Sequence, residues 1–174
     1  SPYTLSLHDA LPICIEVVLF DNREGAAEAA RENLRQTLDK LVSKGKIAGG
    51  DAQATLERLR VATALTDLSD VDLVVEAIIE RLDAKQALLA QLEAVVRDDC
   101  ILATNTSSLS VTSIARECRH PERVAGFHFF NPVPLMKVVE VIDGLASDPR
   151  VGDTLQALAA RMGHQIGRAS CRER

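Results

Sequence analysis

Apolar positions change their spacing repeatedly along the chain, and the changes mark out elements. Val17-Val-Leu-Phe20 is a short apolar, β-branched run closed by Asp21, which suits a buried parallel strand whose last residue faces a ligand edge. From Glu24 to about Lys44, Leu34, Leu38 and Leu41 recur at helical spacing among Lys, Arg and Glu, with no Pro and no Gly after Gly25. That stretch predicts a long helix with a charged solvent face. Gly45, Gly49 and Gly50 are expected to break it, and Asp51 to cap a second helix carrying Ala54, Leu56 and Leu59 towards Arg60. The two read as a helical hairpin.

Beyond it, strands and helices alternate. Val61-Ala-Thr63 is a candidate edge strand and Leu73 to Ile78 a buried one, followed by an Ala/Leu-rich helix from about Asp83 to Arg97. Ile101 to Asn105 predicts the next strand, Ser110 to Glu117 a short helix, and Val124 to Phe130 another strand. Asn131-Pro-Val-Pro134 supplies a tight bend, after which Leu135 to Ile142 returns as a strand and Asp148 to Met162 closes as a helix. Such alternation implies parallel pairing with right-handed crossovers, hence an α/β fold with a doubly wound sheet.

Composition narrows the function classes. The 174 residues are 47% hydrophobic, 26% charged and 3% aromatic, which excludes collagenous and disordered chains. Lys and Arg total 20 against 25 for Asp and Glu, a formal charge of −5, so nucleic acid is not an expected partner. No apolar run approaches the roughly 18 residues of a membrane span, because charges such as Glu76 interrupt each one. No membrane partner is expected either. Cys14, Cys100, Cys118 and Cys171 are widely spaced, with no CxxC pair, so a reducing cytoplasm is the expected compartment and no metal site is expected.

The two ends carry a signal of another kind. Leu5 to Ile13 is what CTT TCC CTA CAC GAC GCT CTT CCG ATC encodes, and the opposite strand of that string, extended by one base, encodes Ile166 to Arg174. One element read in both directions, resembling a sequencing-library adapter, accounts for both termini. The expected organisation is therefore residues 1–13 non-native, 14–165 a partial domain, and 166–174 non-native. On that reading His8 and Cys171 carry no functional weight.

Three constellations in the remainder can do chemistry. Asp21, at the carboxyl end of a strand, can accept hydrogen bonds from both hydroxyls of an adenosine ribose; alternatively it forms a turn with Asn22. Thr104-Asn-Thr-Ser-Ser108 follows a buried strand and precedes a helix, as a helix cap would or as a carbonyl- or amide-binding loop would. Gly126-Phe-His-Phe-Phe-Asn-Pro-Val-Pro134, followed by Met136-Lys-Val-Val-Glu-Val141, places His128 and Glu140 on two strands joined by a Pro-rich bend. Across such a connection the pair can come face to face. A carboxylate on one ring nitrogen fixes the tautomer and raises the basicity of the other, as a general base requires. His120 and His164 lack such a partner pattern.

The stretch from Val17 to Gln165 resembles the nucleotide-binding domain of the NAD-dependent 3-hydroxyacyl-CoA dehydrogenases. Val-Val-Glu-Ala-Ile-Ile-Glu80, Ala-Thr-Asn-Thr-Ser-Ser-Leu109 and Gly-Phe-His-Phe-Phe-Asn-Pro-Val-Pro134 are the matching segments. The resemblance implies a Rossmann-like, mostly parallel sheet lacking its first strand and glycine-rich loop, and NAD as cofactor. It also implies that His128 is the catalytic base, Glu140 its orienting partner, Ser107 a contact of the reacting oxygen, and Asn131 a contact of substrate and nicotinamide. By the same implication Asp21 holds the ribose, while Ala77, Glu80, Lys85 and Asn105 line the dinucleotide. Thr37 and Lys44, on the hairpin that resembles the family's coenzyme A contact, are further candidates, or simply an exposed helix face. The implied partner is a 3-hydroxyacyl-CoA or 3-ketoacyl-CoA, and the implied assembly of a full-length parent is a homodimer through a carboxy-terminal helical domain. The rival expectations are a non-catalytic NAD-binding or structural relative, and a truncated chain with little activity of its own.

Overall fold

The computed structural model describes residues 15–131 and 136–170. His8, Cys14, Cys171 and most of the bend expected at Asn131 to Pro134 lie outside the described residues. Two compact units divide between Asp67 and Leu68.

The first unit pairs strand β1 (Val17–Leu19) in parallel with β2 (Leu59–Val61), Val17 opposite Leu59. Between them run helices α1 (Ala26–Ser43) and α2 (Gly49–Glu57), the expected hairpin. Leu34 and Leu38, one turn apart on α1, meet Ala52 and Leu59 in a small core flanked by Val17, Leu19, Val42, Ile47 and Leu56. Gly45, at φ 66°, ends α1, the left-handed conformation that a helix terminus leaves to glycine.

Three details of the expected hairpin are corrected. Gly49 and Gly50 form the first turn of α2 instead of breaking the chain; the cap position is Ala48, and Asp51 sits in the first turn, where its charge complements the amino-terminal dipole. Leu59 and Arg60 leave the helix and enter β2, which takes the place of the strand expected at Val61 to Thr63. The reason is tertiary: pairing with β1 and burial of Leu59 against α1 outweigh the local helical spacing.

The second unit is a five-stranded sheet in the order β3 (Leu73–Glu76), β4 (Ile101–Thr104), β5 (Val124–Phe129), β6 (Val138–Asp143), β7 (Gln165–Ser170). β3, β4 and β5 are parallel, β6 turns back antiparallel to β5, and β7 runs parallel to β6. Helix α3 (Leu82–Glu93) links β3 to β4, α4 (Val111–Ala115) precedes β5, and α5 (Pro149–Arg161) links β6 to β7. Val124, Phe127, Val139, Val141, Leu89 and Leu155 are buried to about the last square ångström and form its core.

Both faces of this sheet are covered. On the face of Gly126, a Cβ would stand 2.9 Å from Ile142 Cβ and 3.0 Å from Val111 Cγ2, so α4 approaches as closely as a missing side chain allows. On the opposite face, Gly152 of α5 lies against Asp143 and Arg168. Arg168 binds Asp143 at 3.0 Å and Asp153 at 2.6 Å, tying β7 to β6 and α5. No strand was expected after α5; Ile166–Ser170, set apart by the codon reading, make up most of β7. Among the described residues no helix is long and apolar enough to cross a membrane, and no group of His, Cys, Asp or Glu is arranged to hold a metal ion.

Candidate active site

The carboxyl ends of β3, β4 and β5 bring their following loops to one edge of the second unit's sheet, where open α/β folds place ligands. Ala77 and Glu80 follow β3, Asn105 to Ser108 follow β4, and Asn131 follows β5. Alternation along β5 turns Val124, Gly126 and His128 to one face and Ala125, Phe127 and Phe129 to the other. Phe127 and Phe129 are buried with their rings edge to face at 4.7 Å, which fixes the strand that carries His128.

His128 stands directly opposite Glu140 in the antiparallel register, and His128 Nδ1 lies 3.3 Å from Glu140 Oε2. The histidine side chain is 16% exposed and Glu140 32%. Phe130 packs on the imidazole at 4.7 Å between centroids. Because a carboxylate only accepts, Nδ1–H donates to Glu140 and Nε2 is left as the basic nitrogen. A half-buried imidazole so oriented can take a proton from a hydroxyl placed against Nε2.

The loop after β4 is organised by one acid, Glu80, not by a helix cap. Glu80 Oε1 accepts the Thr106 hydroxyl and the amides of Ser107 at 2.9 Å and Ser108 at 3.2 Å. Burial pulls the Glu80 carboxyl upward, but those hydrogen bonds and the Lys85 charge outweigh it and bring it down to about 2. The cap of α4 is Ser110, which accepts from the Ser113 amide. Asn105 Oδ1 accepts the Phe129 amide at 2.8 Å, tying this loop to the strand of His128 and leaving its Nδ2 hydrogens as the group able to donate to a ligand.

Comparison with known proteins decides the family. The model of the 3-hydroxyacyl-CoA dehydrogenase NAD-binding domain matches residues 11–168. The chain belongs to that family. It is 44% identical over 150 residues to 3-hydroxyadipyl-CoA dehydrogenase of Escherichia coli strain K12, covering 86% of this chain and 32% of that protein. It is 40% identical over 144 residues to 3-hydroxybutyryl-CoA dehydrogenase of Clostridioides difficile, covering 83% of this chain and 51% of that one. Among solved structures, a 3-hydroxybutyryl-CoA dehydrogenase from Escherichia coli K12 superposes with a TM-score of 0.92 at 41% identity, over 96% of this chain and 35% of that one. The fold is thus the Rossmann-like α/β fold with a mostly parallel sheet. The chain spans about a third to about half the length of these relatives.

The matched NAD-binding domain takes in both units, and the loops after β3 and β4 present groups whose chemistry fits a dinucleotide. Ala77 carries only a methyl group, and Asn105 an amide whose oxygen is engaged by the Phe129 amide, so its Nδ2 hydrogens are what it has to offer a hydroxyl or carbonyl. Of the residues expected from sequence, this unit assembles His128, Glu140, Ser107, Asn131, Ala77, Glu80, Lys85 and Asn105. Ser107 and Asn131 are exposed; Lys85 is fully buried.

Asp21, Thr37 and Lys44 belong to the first unit. Asp21, two residues beyond β1, accepts the Arg23 amide on Oδ1 at 2.9 Å, and the Arg23 guanidinium beside it holds its carboxyl below the ordinary range. Thr37 donates its hydroxyl to the Asn33 carbonyl on the exposed face of α1, and Lys44 caps the end of that helix, exposed. One expectation is corrected here: His120 does have a carboxylate neighbour, Glu122 at 3.0 Å, on an exposed turn where each side chain is half open to solvent. His164 is buried, its ring edge-on to Phe129 at 5.6 Å. Sequence reasoning missed Glu76 as a member of the site's support. Glu76 Oε2 accepts the Thr104 hydroxyl at 2.7 Å, and the signal was an acid interrupting the apolar run of β3.

Proposed function

We propose that the protein containing this domain is an oxidoreductase that interconverts 3-hydroxyacyl-CoA and 3-ketoacyl-CoA, passing hydride between carbon 3 and NAD. The observation that carries the reading is the His128–Glu140 pair, 3.3 Å apart on facing strands at the edge where the sheet's loops converge. NAD supplies the hydride chemistry when bound. His128 takes the proton of the 3-hydroxyl on Nε2, and Glu140 steadies the positive charge that develops on the ring. In the reverse direction His128 returns that proton to the oxygen.

Ser107 contacts the reacting oxygen, and Asn131 holds substrate and nicotinamide. Ala77, Glu80 and Asn105 line the dinucleotide with Lys85 behind Glu80; Asp21 takes the ribose hydroxyls, exchanging its bond to Arg23 for them. Thr37 and Lys44 contact coenzyme A. The family resemblance supports a homodimer for the whole protein. Cys100 and Cys118, free and buried, support a reducing cytoplasmic setting.

The test is a His128→Gln variant of the whole protein, assayed with a 3-ketoacyl-CoA and NADH. Turnover should fall by about 10² to 10⁴, the usual worth of a general acid or base, while NADH still binds. Turnover at the parent rate would reject the assignment.

A further inference from the structure

One hydrogen bond does not fix an imidazole. His128 is tied to Glu140 at a single atom, Nδ1 at 3.3 Å from Oε2, and that contact sets the tautomer but leaves the ring able to swing about its broad outer torsion. A proton transfer that depends on where Nε2 points needs a second constraint, since a misplacement of about 1 Å can cost about 10²-fold in rate.

The backbone is not the loose part. On the far face of β5, Phe129 packs edge to face with both Phe127 at 4.7 Å and His164 at 5.6 Å. The antiparallel register puts Glu140 opposite His128, and the Phe130 amide donates to the Val138 carbonyl at 3.4 Å, carrying the pairing one residue past the end of the strand. Phe130 stands two residues after His128, so the alternation of an extended chain turns both side chains to the same face. There the two rings meet, with centroids 4.7 Å apart and planes inclined at 45°. Phe130 is half-buried, and neither the proton transfer nor the dinucleotide contacts call on it.

We infer that Phe130 is a positioning residue for His128: its ring closes off one side of the imidazole, so that Glu140 sets the tautomer, Phe130 limits the swing of the ring, and the two together hold Nε2 on the substrate hydroxyl. A leucine would supply apolar bulk at the same place, but a flat, rigid face restricts a flat neighbour as a branched chain does not. The face of the phenyl ring also carries partial negative charge, so it favours the imidazole in its protonated form, adding to what Glu140 does at Nδ1. The consequence for turnover rests on the dehydrogenase reading; the contact between the two rings does not.

The experiment uses the whole protein with Phe130→Leu, which keeps apolar bulk and removes the flat face, and Phe130→Tyr, which keeps the ring. In the unmodified protein, nuclear Overhauser contacts should join the Phe130 ring protons to those of His128. In Phe130→Leu the His128 ring protons should shift as the neighbouring ring current is lost, while long-range nitrogen–proton spectra still show the proton of the neutral ring on Nδ1. Steady-state kinetics with a 3-ketoacyl-CoA and NADH should give a kcat about tenfold lower in Phe130→Leu with both KM values within about threefold, and Phe130→Tyr should recover the parent kcat to within about threefold. A merely structural residue would give neither that split nor that rescue. Absence of the ring-to-ring contact in the unmodified protein overturns the inference whatever the variants do, and so does a Phe130→Leu variant that turns over at the parent rate. A raised KM with kcat intact overturns it as well, since Phe130 would then be a substrate contact. If the unmodified protein reduces no 3-ketoacyl-CoA, the dehydrogenase reading falls, and the spectra still decide whether Phe130 holds the ring.

Discussion

In the first unit Arg35 reaches Glu32 at 2.6 Å and Asp39 at 2.7 Å over the exposed face of α1, whereas in the second Lys85 reaches Glu76 and Glu80 inside the protein. The shortest distances, 2.6 Å and 2.7 Å, are nearly the same. What differs is the solvent. Surface pairs gain little over hydration and are screened by salt, so the first unit is held by its apolar cluster of Leu34, Leu38, Ala52 and Leu59. A sealed pair has no water to return to, so removing one partner leaves the other stranded. Burial, and not separation, decides whether a charge here is decoration or a structural member that a site can depend on.

Single substitutions sharpen the contrast. Lys85→Met should cost about 3–5 kcal/mol, because it leaves Glu76 buried and unpaired; urea denaturation of the chain measures it. A loss no larger than that of a surface pair would erase the distinction between the units. Leu38→Ala should cost about 2–5 kcal/mol through lost burial and the cavity left in the small core, read from the unfolding of the first unit by hydrogen exchange. If it cost nothing, the apolar cluster would not be what holds that unit.

Smaller effects follow from the half-exposed and exposed acids. Glu80 binds its proton more weakly in the folded chain, at about 2, than an ordinary carboxylate at about 4.3. Its stabilisation is therefore complete above about pH 4.3 and is lost as the pH falls towards 2, since the unfolded chain then takes up more protons. Melting temperatures at about pH 5 and pH 3 should fall less steeply in a Glu80→Gln variant than in the parent, and equal slopes would remove Glu80 from the account. Last, Glu32→Gln should leave the melting temperature unchanged in about 0.15 M salt, although it removes the charge and one of two short bonds to Arg35. A drop there matching that of Lys85→Met would break the comparison outright.

The legible parts of this fold share a feature: their signal is local. The apolar runs of β3, β4 and β5 and the Ala/Leu repeat of α3 fall within a few residues of where the spacing put them. The His128–Glu140 meeting was also readable, because a Pro-rich bend between two alternating strands leaves antiparallel pairing as the short solution. β2 was misplaced because three residues carry too little pattern against a helix that ends beside them. β7 was not foreseen because the codon reading set residues 166–174 aside, and what places it, pairing with β6 and the Arg168 clamp on Asp143 and Asp153, lies distant in sequence.

The sequence by itself determined the alternation of strands and helices, the family, and the identity of the histidine and its acid, since each rests on side-chain type and short spacing. Only the tertiary structure decided that Lys85 is sealed between two carboxylates and that Glu80 gathers the serine loop. A lysine on a helix looks alike in sequence whether it faces water or the core; its own partners, Glu76 and Glu80, lie within nine residues of it, but the hydroxyls and amides that hold those two acids come from the end of β4 and the loop after it, 26 to 28 residues beyond the acid they bind. Those contacts exist only once the sheet has closed.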